Sequence, residues 1–410
     1  MYWPTINGVS TFSRNLAIGM SALGHEVLVI APSQTGDHYE EMDGNYRILR
    51  LASTNFPFYH SQTASLPNQR KIAGLSVPRV YVDNGFRISL TPQREIKRAL
   101  DEFRPDIIHN QQYLMIGQAI LSYARKRDIP IVHTNHVLPE NLLDNLKLLA
   151  PFSRPIAHTM KSYGVNFVRK FDYATMPTQV AVDITVSKHI ANGRFNIPVE
   201  VVSNGIDLVR FRPGRPDEAF YKKYKLPVDV PIVTYLGRLD MEKHISILVE
   251  AFAHIQKSTG SHLLLVGDGT DTHNLKNLVK KYRISNHVTF TGRVIGDDLM
   301  GLHQVGTVFC VPSPVELQCI AALEAMASGL PLVAVRAGAI QELCADGVNG
   351  YLCEKDSIKQ IEGGLERILL DPKLRTRFSE ASIKIASKHD IKQTLKRFET
   401  IYREVIKSYA

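Results

Sequence analysis

Short apolar segments alternate with amphipathic helical segments along nearly the whole sequence, and this alternation restricts the fold more than any other feature. The segments VLVIAP, PIVTYLGRLD, HLLLVGDG, HVTFTGRV, GTVFCVPS and LPLVAV have the composition of buried strands. TQVAVDITVS is predicted to be a further strand on the same grounds. Strands of this kind, most of them followed by a helix, indicate parallel sheets covered on both faces. We therefore predict an α/β fold with two doubly wound domains.

Length and composition agree with two domains and exclude several classes of protein. The 410 residues are 44% hydrophobic and 22% charged, which is typical of a globular chain. No apolar run reaches the ~18–20 residues needed to cross a bilayer, and no secretory signal is recognisable at the N-terminus. The four cysteines form no CxxC pair, so we expect reduced thiols in a cytoplasmic protein rather than disulfides or a zinc site.

A stretch rich in proline, glycine and charge near residues 205–230 separates two series of strands and helices. Such composition is typical of a domain boundary. We place an N-terminal domain at residues 1–205 and a C-terminal domain at 206–385. Residues 386–410 include DIKQTLKRFETIYREVIKSYA, which is predicted to form one amphipathic helix.

The N-terminus is predicted to form a turn, a helix and then a strand. INGVS carries Gly8, whose missing side chain would let the backbone approach a ligand closely, although Asn-Gly is also an ordinary turn. A unit of this kind normally opens with a strand, and none precedes this turn. Two alternatives follow: this chain lacks the first strand and is less stable for it, or its natural start lies upstream of Met1.

Two cations follow the strand PIVTY in the segment LGRLDMEK. Arg238 and Lys243 would lie beyond the carboxyl end of a strand and near the start of a helix, where ligands of doubly wound sheets bind. A guanidinium, an ammonium and a helix N-terminus together suit a diphosphate. The alternative is a surface turn with two ordinary cations.

Two further segments carry candidate polar groups. VHTNHV ends a strand with His133 and His136, and each histidine is either a site residue or a structural one. ELQCIAALE begins with Glu316 and ends with Glu324, which lie about 12 Å apart if the first precedes a helix and the second lies within it. A glycosidase acid–base pair needs a separation of about 5–10 Å. The spacing therefore favours two anchors for an elongated ligand.

Residues 138–171 mix Leu, Phe and Tyr with basic side chains, among them Lys161, Arg169 and Lys170. Basic amphipathic character is typical of elements that bind an anionic membrane surface. The alternative is a helix packed on its own domain with a solvated basic face. The net charge of +9 favours anionic partners but does not choose among phosphates, nucleic acid and membranes.

Several motifs in a fixed order resemble the GT-B glycosyltransferases of family 4, which are retaining enzymes that use nucleotide sugars. These are PTINGVSTFSRNLAIGMSALGHEVLVIAP, VSNGIDLVRFRP, YLGRLDMEK, LLLVGDG, VTFTGRV and VPSPVELQCIAALEAMASGLPLVAV. The resemblance implies two Rossmann-like domains facing across a cleft. Residues 1–205 would bind the acceptor, 206–385 the nucleotide sugar, and the helix in 386–410 would cross back to the first domain.

The resemblance also implies roles for individual residues. Arg238 and Lys243 would bind the donor diphosphate, Glu316 would lie near the transferred sugar, and Glu324 would bind the ribose hydroxyls. His136, rather than His133, matches the family histidine near the donor sugar. The catalytic set is therefore predicted to be His136, Glu316, Arg238 and Lys243. The remaining donor-binding positions are predicted to be Gly8, the main chain at Val294, and the helix start at Cys319, Ile320 and Ala321. Many members have Gly or Ser where Cys319 stands, which leaves the sugar open.

Within the family, the pattern at 316–319 and the basic region are most similar to glycolipid-forming members. We expect transfer of a hexose from a UDP- or GDP-sugar to a membrane lipid of the diacylglycerol or phosphatidylinositol type, at the inner face of the cell membrane. Lys161, Arg169 and Lys170 would contact the membrane or acceptor, and no metal or cofactor is expected. The alternatives are a soluble or polysaccharide acceptor and a UDP-sugar epimerase. An NAD-dependent oxidoreductase is disfavoured because no G-x-G-x-x-G is present, and no motif supports nucleic-acid binding.

Overall fold

A computed structural model describes residues 2–3, 7–55, 63–64, 82–83, 87–136, 153–193 and 195–409. The chain folds into two compact units. The first comprises Met1–Val202 and Leu395–Ala410, and the second comprises Ser203–Thr394. The functions predicted for the two halves, and the expected strand before the Gly8 turn, remain predictions.

Two main sheets form the first unit. A four-stranded parallel sheet has the spatial order Val199–Val201, Tyr173–Met176, Ile131–Thr134 and Ile108–Asn110. In a second sheet, Tyr46–Leu51 lies between Leu28–Pro32, which runs parallel to it, and Tyr39–Asp43, which runs antiparallel. Two-residue strands also pair, Thr54–Asn55 with Arg87–Ile88 and Thr63–Ala64 with Val82–Asp83. The described helices are Gly8–Ala22, Gln93–Phe103, Met115–Arg127, Ser153–Val168, Gln179–Thr185 and Ser187–Ala191.

The last helix, Ile391–Lys407, contributes most of its length to the first unit. Phe398 and Ile401 are fully buried against Phe12 of the first helix. A Cβ added at Gly19 would lie 2.3 Å from the side chain of Leu395, so these two helices pack with no room for a side chain there. The amphipathic pattern of the tail therefore reflects a buried face in this unit.

A single six-stranded parallel sheet forms the second unit. Its spatial order is Val288–Gly292, His262–Val266, Ile232–Leu236, Val308–Val311, Leu332–Val335 and Gly350–Cys353. The α-helices are Glu218–Tyr224, Ile245–Thr259, Thr272–Lys281, Asp298–Gln304, Ile320–Ala327, Ile358–Leu370 and Pro372–Ala386. Short 3₁₀ helices are formed by Met241–Lys243, Ser285–His287, Gly338–Glu342 and Ser387–His389.

Both faces of this sheet are buried, as the sequence predicts. In the strand Val308–Val311, Val308 and Cys310 face one core cluster with the helices Ile245–Thr259 and Ile358–Leu370. Phe309 and Val311 face another cluster, which contains the helix Ile320–Ala327. Such burial explains why these strands are continuous apolar runs rather than alternating ones. The predicted α/β class with two Rossmann-like domains is confirmed.

One predicted strand is wrong. TQVAVDITVS forms the helix Gln179–Thr185 instead, and its N-cap Thr178 accepts a hydrogen bond from the amide of Ala181 at 3.1 Å. Val182 and Val186 are buried four residues apart, which is helical spacing. The cap and this spacing override the β propensity of the valines.

The four cysteines are free thiols. Within the described residues, no helix combines the length and the apolar character needed to cross a bilayer.

Candidate active site

Three predicted site residues of the second unit follow strands at the point where the strand order of its sheet reverses. The strand Ile232–Leu236 has His262–Val266 on one side and Val308–Val311 on the other. Arg238 and Lys243 follow the strand Ile232–Leu236, and Glu316 follows Val308–Val311. Ligands of open α/β sheets bind at this topological switch point. The fold therefore gathers three predicted residues, far apart in sequence, at one edge of the sheet.

Arg238 is held by two carboxylates on its own loop. Its guanidinium donates to Asp240 and to Glu242. The side chains of these acids are 10% and 6% exposed, whereas that of Arg238 is 36% exposed. The Tyr235 hydroxyl donates to the carbonyl of Arg238 at 3.0 Å and fixes the backbone. The two carboxylates therefore fix the orientation of the Arg238 guanidinium, which remains partly exposed to solvent.

Lys243 and Glu316 form a partly buried ion pair. The Nζ atom of Lys243 lies 2.8 Å from Oε1 of Glu316, and both side chains are 16% exposed. Burial by itself would lower the pKa of Lys243, but the charge and hydrogen bond of Glu316 raise it above its ordinary value. The lysine is therefore charged at neutral pH, and the pair joins two of the predicted catalytic residues.

The loop that carries Glu316 is fixed by its neighbours in the second unit. The carbonyl of Glu316 accepts a hydrogen bond from the amide of Ala339 at 2.9 Å. Gly338 has φ +56°, and a Cβ there would lie 2.7 Å from that carbonyl oxygen, so glycine is required. Gln318 accepts from the amide of Asn204 at 2.8 Å. These contacts fix the backbone of the loop that precedes the helix Ile320–Ala327.

The helix Ile320–Ala327 starts where the sequence predicts, and no side chain caps it. Its N-cap residue is Cys319, and Ile320 and Ala321 are half-buried. The first amide groups of a helix have no partners within the helix, so this end favours an anion. Burial, followed by the nearby Glu316 charge, raises the pKa of the Cys319 thiol. The Cys319 thiol is therefore neutral at pH 7.

Glu324 lies within this helix and has a partner that the sequence did not reveal. His303, on the helix Asp298–Gln304, lies with Nε2 3.2 Å from Oε2 of Glu324. Glu324 and Glu316 thus have separate basic partners. Nothing in the sequence around His303 indicates this contact, since the two residues are 21 positions apart.

Arg293 is another residue that the sequence reasoning missed. It follows the strand Val288–Gly292, and within the described part of the chain its buried Nη1 atom has no hydrogen-bond partner. Burial lowers the pKa of Arg293, opposed by the charge of Asp268. The side chain of the next residue, Val294, is partly buried and packs against a core cluster.

In the first unit, the helix Gly8–Ala22 carries Gly8 and contacts His136. Gly8 is the first residue of the helix Gly8–Ala22, whose N-cap Asn7 accepts from the Ser10 amide at 2.9 Å. The ring of His136 packs against Phe12 of that helix, with centroids 4.7 Å apart. Burial lowers the pKa of His136 to about 3, so its imidazole is neutral at pH 7.

His133 packs among aromatic rings of the first unit. It is fully buried and stacks on Phe171 with ring centroids 4.7 Å apart. Tyr113 and Phe167 pack edge-on to its ring. Within the described residues, the Nε2 atoms of both histidines are buried without a hydrogen-bond partner, so the choice of His136 over His133 stays a prediction from the resemblance.

The basic region predicted to contact membrane is partly described. Residues 137–152 lie outside the described residues, and for Lys161 only a place in the helix Ser153–Val168 is described. Arg169 and Lys170 directly follow this helix and are exposed. Lys170 also lines a cavity of about 730 Å³; the other lining residues are Gln118, Leu121, Ser122, Arg125, Tyr163, Asn166 and Phe167.

Similar proteins support one family for the whole chain. The family model described as Glycosyltransferase Family 4 matches residues 6–210, and the model described as Glycosyl transferases group 1 matches residues 216–385. An alpha-monoglucosyldiacylglycerol synthase of Acholeplasma laidlawii is 27% identical over 99% of this chain and 95% of its own length. A GDP-mannose-dependent alpha-mannosyltransferase of Corynebacterium glutamicum is 27% identical over 90% of this chain and 79% of its own.

A solved structure shows the same fold. Sucrose-phosphate synthase from Thermosynechococcus elongatus matches with a TM-score of 0.74 and 21% identity, over 98% of this chain and 94% of that one. At this identity the match bears on the fold alone. Together with the family matches over both halves, it shows that this chain belongs to glycosyltransferase family 4 and is a hexosyltransferase with the GT-B fold.

Proposed function

We propose that this enzyme transfers a hexose from a UDP- or GDP-sugar to a lipid hydroxyl, with retention at the anomeric carbon and without a metal. The observation that carries the proposal is the grouping of Arg238, Lys243 and Glu316 at the switch point of the second sheet. An uncapped helix N-terminus begins four residues after Glu316. Two cations and a helix end provide the positive environment that a diphosphate needs.

The donor would occupy this edge of the second unit in an extended form. The diphosphate would accept hydrogen bonds from Arg238, Lys243 and the amides at the start of the helix Ile320–Ala327. Lys243 would exchange its bond to Glu316 for one to phosphate, which frees the Glu316 carboxylate to bind hydroxyls of the transferred sugar. The ribose would bind Glu324, and the base would lie against the main chain of Val294.

The reaction needs stabilisation of the leaving group more than a strong base. The bond between the anomeric carbon and the diphosphate oxygen breaks, and the acceptor oxygen bonds to that carbon from the same face. The acceptor proton passes to the departing diphosphate. Arg238 and Lys243 would stabilise the charge that develops on the diphosphate. By resemblance, the neutral imidazole of His136 would orient the sugar, consistent with its depressed pKa.

A lipid acceptor is supported by a relative and by surface charge. The Acholeplasma laidlawii relative is named for the synthesis of a glucosyldiacylglycerol, and its similarity extends over nearly all of both chains. Arg169 and Lys170 present two exposed cations, and Lys170 lines the cavity described above. Exposed basic residues suit an anionic membrane surface. We therefore place the enzyme peripherally on the cytoplasmic face of the membrane.

A panel of donors and acceptors tests the proposal. The protein is incubated with UDP- and GDP-hexoses in the presence of vesicles of diacylglycerol and anionic phospholipid, with EDTA present, and products are identified by mass spectrometry. We expect a hexosyl lipid from at least one donor, with the donor anomeric configuration retained by NMR. Transfer only to soluble glycans would replace the lipid acceptor. Release of an epimeric sugar without any acceptor would indicate an epimerase, and loss of activity with EDTA would contradict metal independence.

A further inference from the structure

We propose that His303 is a positioning residue that fixes the carboxylate of Glu324 for binding the ribose hydroxyls of the donor. The inference rests on the proposed role of Glu324 and adds a residue to that site. His303 itself would touch neither ribose nor sugar. Its effect would pass through one hydrogen bond to the carboxylate.

The two side chains meet in a buried place. The side chain of His303 is 1% exposed and that of Glu324 is 8% exposed. The distance from Nε2 of His303 to Oε2 of Glu324 is 3.2 Å. A carboxylate can only accept, so the imidazole donates from Nε2 whether it is neutral or charged. Within the described residues, this is the one hydrogen bond that the Glu324 side chain makes, and it leaves Oε1 for a ligand.

The imidazole is itself held in position by packing. Phe211 lies edge-on to the His303 ring, and Phe309 lies tilted against it, each with ring centroids 5.8 Å apart. The helix that carries His303 is closely packed, since a Cβ at Gly301 would lie 2.5 Å from the ring of Phe220. The hydrogen-bond donor therefore comes from a rigid support.

A fixed carboxylate has a specific advantage for a vicinal diol. Ribose presents two hydroxyl groups with a set geometry, and a carboxylate that rotates freely loses freedom when it binds them. The bond from His303 restrains Glu324 before the donor arrives, which lowers this cost. If His303 is replaced, the restraint is lost and a mostly buried carboxylate has no protein donor. The result is weaker binding of ribose nucleotides, by about tenfold.

A simple core role for His303 gives a different pattern. Loss of packing would lower stability and weaken every nucleotide to the same degree. The positioning role weakens only the part of binding that depends on ribose hydroxyls. Comparison of UDP with 2′,3′-dideoxy-UDP, and of GDP with 2′,3′-dideoxy-GDP, therefore separates the two. The deoxy form is here this dideoxy nucleotide, which lacks both hydroxyls that Glu324 is proposed to bind.

The test measures these four nucleotides by calorimetry with the full chain. The variants are His303→Phe, His303→Leu and His303→Gln, with Glu324→Gln as the variant of the ribose-binding residue. We expect the wild type to prefer the ribose form of its nucleotide by about tenfold, and both apolar variants to lose this preference while their affinity for the deoxy form stays unchanged. His303→Gln, whose amide can donate a hydrogen bond, should recover part of the preference for the ribose form. In transfer assays, the apolar variants should raise the donor KM with little change in kcat.

Two results would overturn the inference. One is an apolar variant that keeps the full preference for ribose. The other is a variant that weakens the ribose and deoxy forms equally. A wild type that binds nucleotides but does not distinguish ribose from deoxyribose would instead refute the proposed ribose contact of Glu324, and no binding of UDP or GDP at all would refute the proposed function.

Discussion

Replacing Glu316 with glutamine is expected to tighten nucleotide binding and to slow transfer. In the structure, Lys243 already donates to Glu316 at 2.8 Å, and both side chains are 16% exposed. A diphosphate must therefore compete with the Glu316 carboxylate for the lysine. Glutamine has nearly the same shape but no charge, so Lys243 becomes available to phosphate. The same change removes a charged acceptor that is proposed to bind the transferred sugar.

The size of the effect follows from the strength of the pair. Two unit charges 2.8 Å apart interact by about 6 kcal/mol at an effective dielectric constant of about 20. Desolvation offsets much of this, and hydrogen bonds to charged groups contribute about 1.5–3 kcal/mol net. Release of Lys243 should therefore strengthen UDP or GDP binding by about 10- to 100-fold. Loss of the contact to the sugar should lower kcat/KM by a similar factor.

Titration calorimetry with UDP and GDP measures the first effect, and initial rates with the preferred sugar nucleotide measure the second. Glu354→Gln is the matched control, because Glu354 pairs with Arg336 at 3.3 Å on an exposed surface of the same unit. The control should change neither quantity measurably. A Glu316→Gln variant that binds nucleotide as weakly as the wild type, or more weakly, would refute the competition for Lys243.

Three further predictions concern the loop, the acid stability and the membrane surface. Gly338→Ala should lower donor turnover and reduce the free energy of unfolding by about 1–2 kcal/mol, because φ +56° and the close carbonyl of Glu316 both disfavour a Cβ. Thermal melts measure the stability and initial rates measure the turnover. Transfer at the wild-type rate would contradict this prediction. Burial lowers the pKa of three first-unit histidines from 6.5 to about 3: His109, His133 and His136. Since the unfolded chain takes up these protons first, stability is fully present above about pH 6.5 and falls toward pH 3, by about 2 kcal/mol per histidine at pH 5. Acid unfolding followed by circular dichroism measures this, and an unchanged melting temperature between pH 7 and pH 5 would contradict it. Arg169→Glu with Lys170→Glu should weaken co-sedimentation with anionic vesicles about tenfold or more, at about 1 kcal/mol per charge lost; unchanged sedimentation would exclude this surface.

The alternation of strands and helices was predictable because it depends on local pattern. Each strand of the second sheet is buried on both faces and is therefore an apolar run, as in Val308–Val311. The segment 178–186 was not predictable in this way, because its valines favour a strand while Thr178 caps a helix. Local propensity was overridden there by a hydrogen bond that the sequence does not display.

The partners of the site residues were less predictable than the residues themselves. Position after a strand and resemblance to the family indicated Lys243 and Glu316, but their ion pair joins residues 73 positions apart. His303 lies on a seven-residue helix with no distinguishing motif, and only its contact with Glu324 makes it a candidate. Contacts of this kind depend on how the sheet orders its strands, which sequence periodicity does not specify.

The carboxylates that contact Arg238 and Lys243 determine which substitutions best test these two cations. Replacing both with alanine removes the cations that contact three carboxylates: Asp240, Glu242 and Glu316. Removing one partner of a buried ion pair is destabilising, so such a variant would test the fold as well as the site. Arg238→Gln and Lys243→Gln keep a hydrogen-bond donor at each position while removing the charge, which makes them the better pair of variants.

The most direct test of the diphosphate site is the transfer rate of the doubly substituted Arg238→Gln, Lys243→Gln enzyme. The measurement uses the preferred sugar nucleotide with lipid vesicles, at a temperature where circular dichroism shows the same folded state as the wild type. We expect a loss of at least about 1,000-fold in kcat/KM, since two groups that stabilise the departing diphosphate are removed. Transfer at the wild-type rate by this folded variant would contradict the assignment of the site.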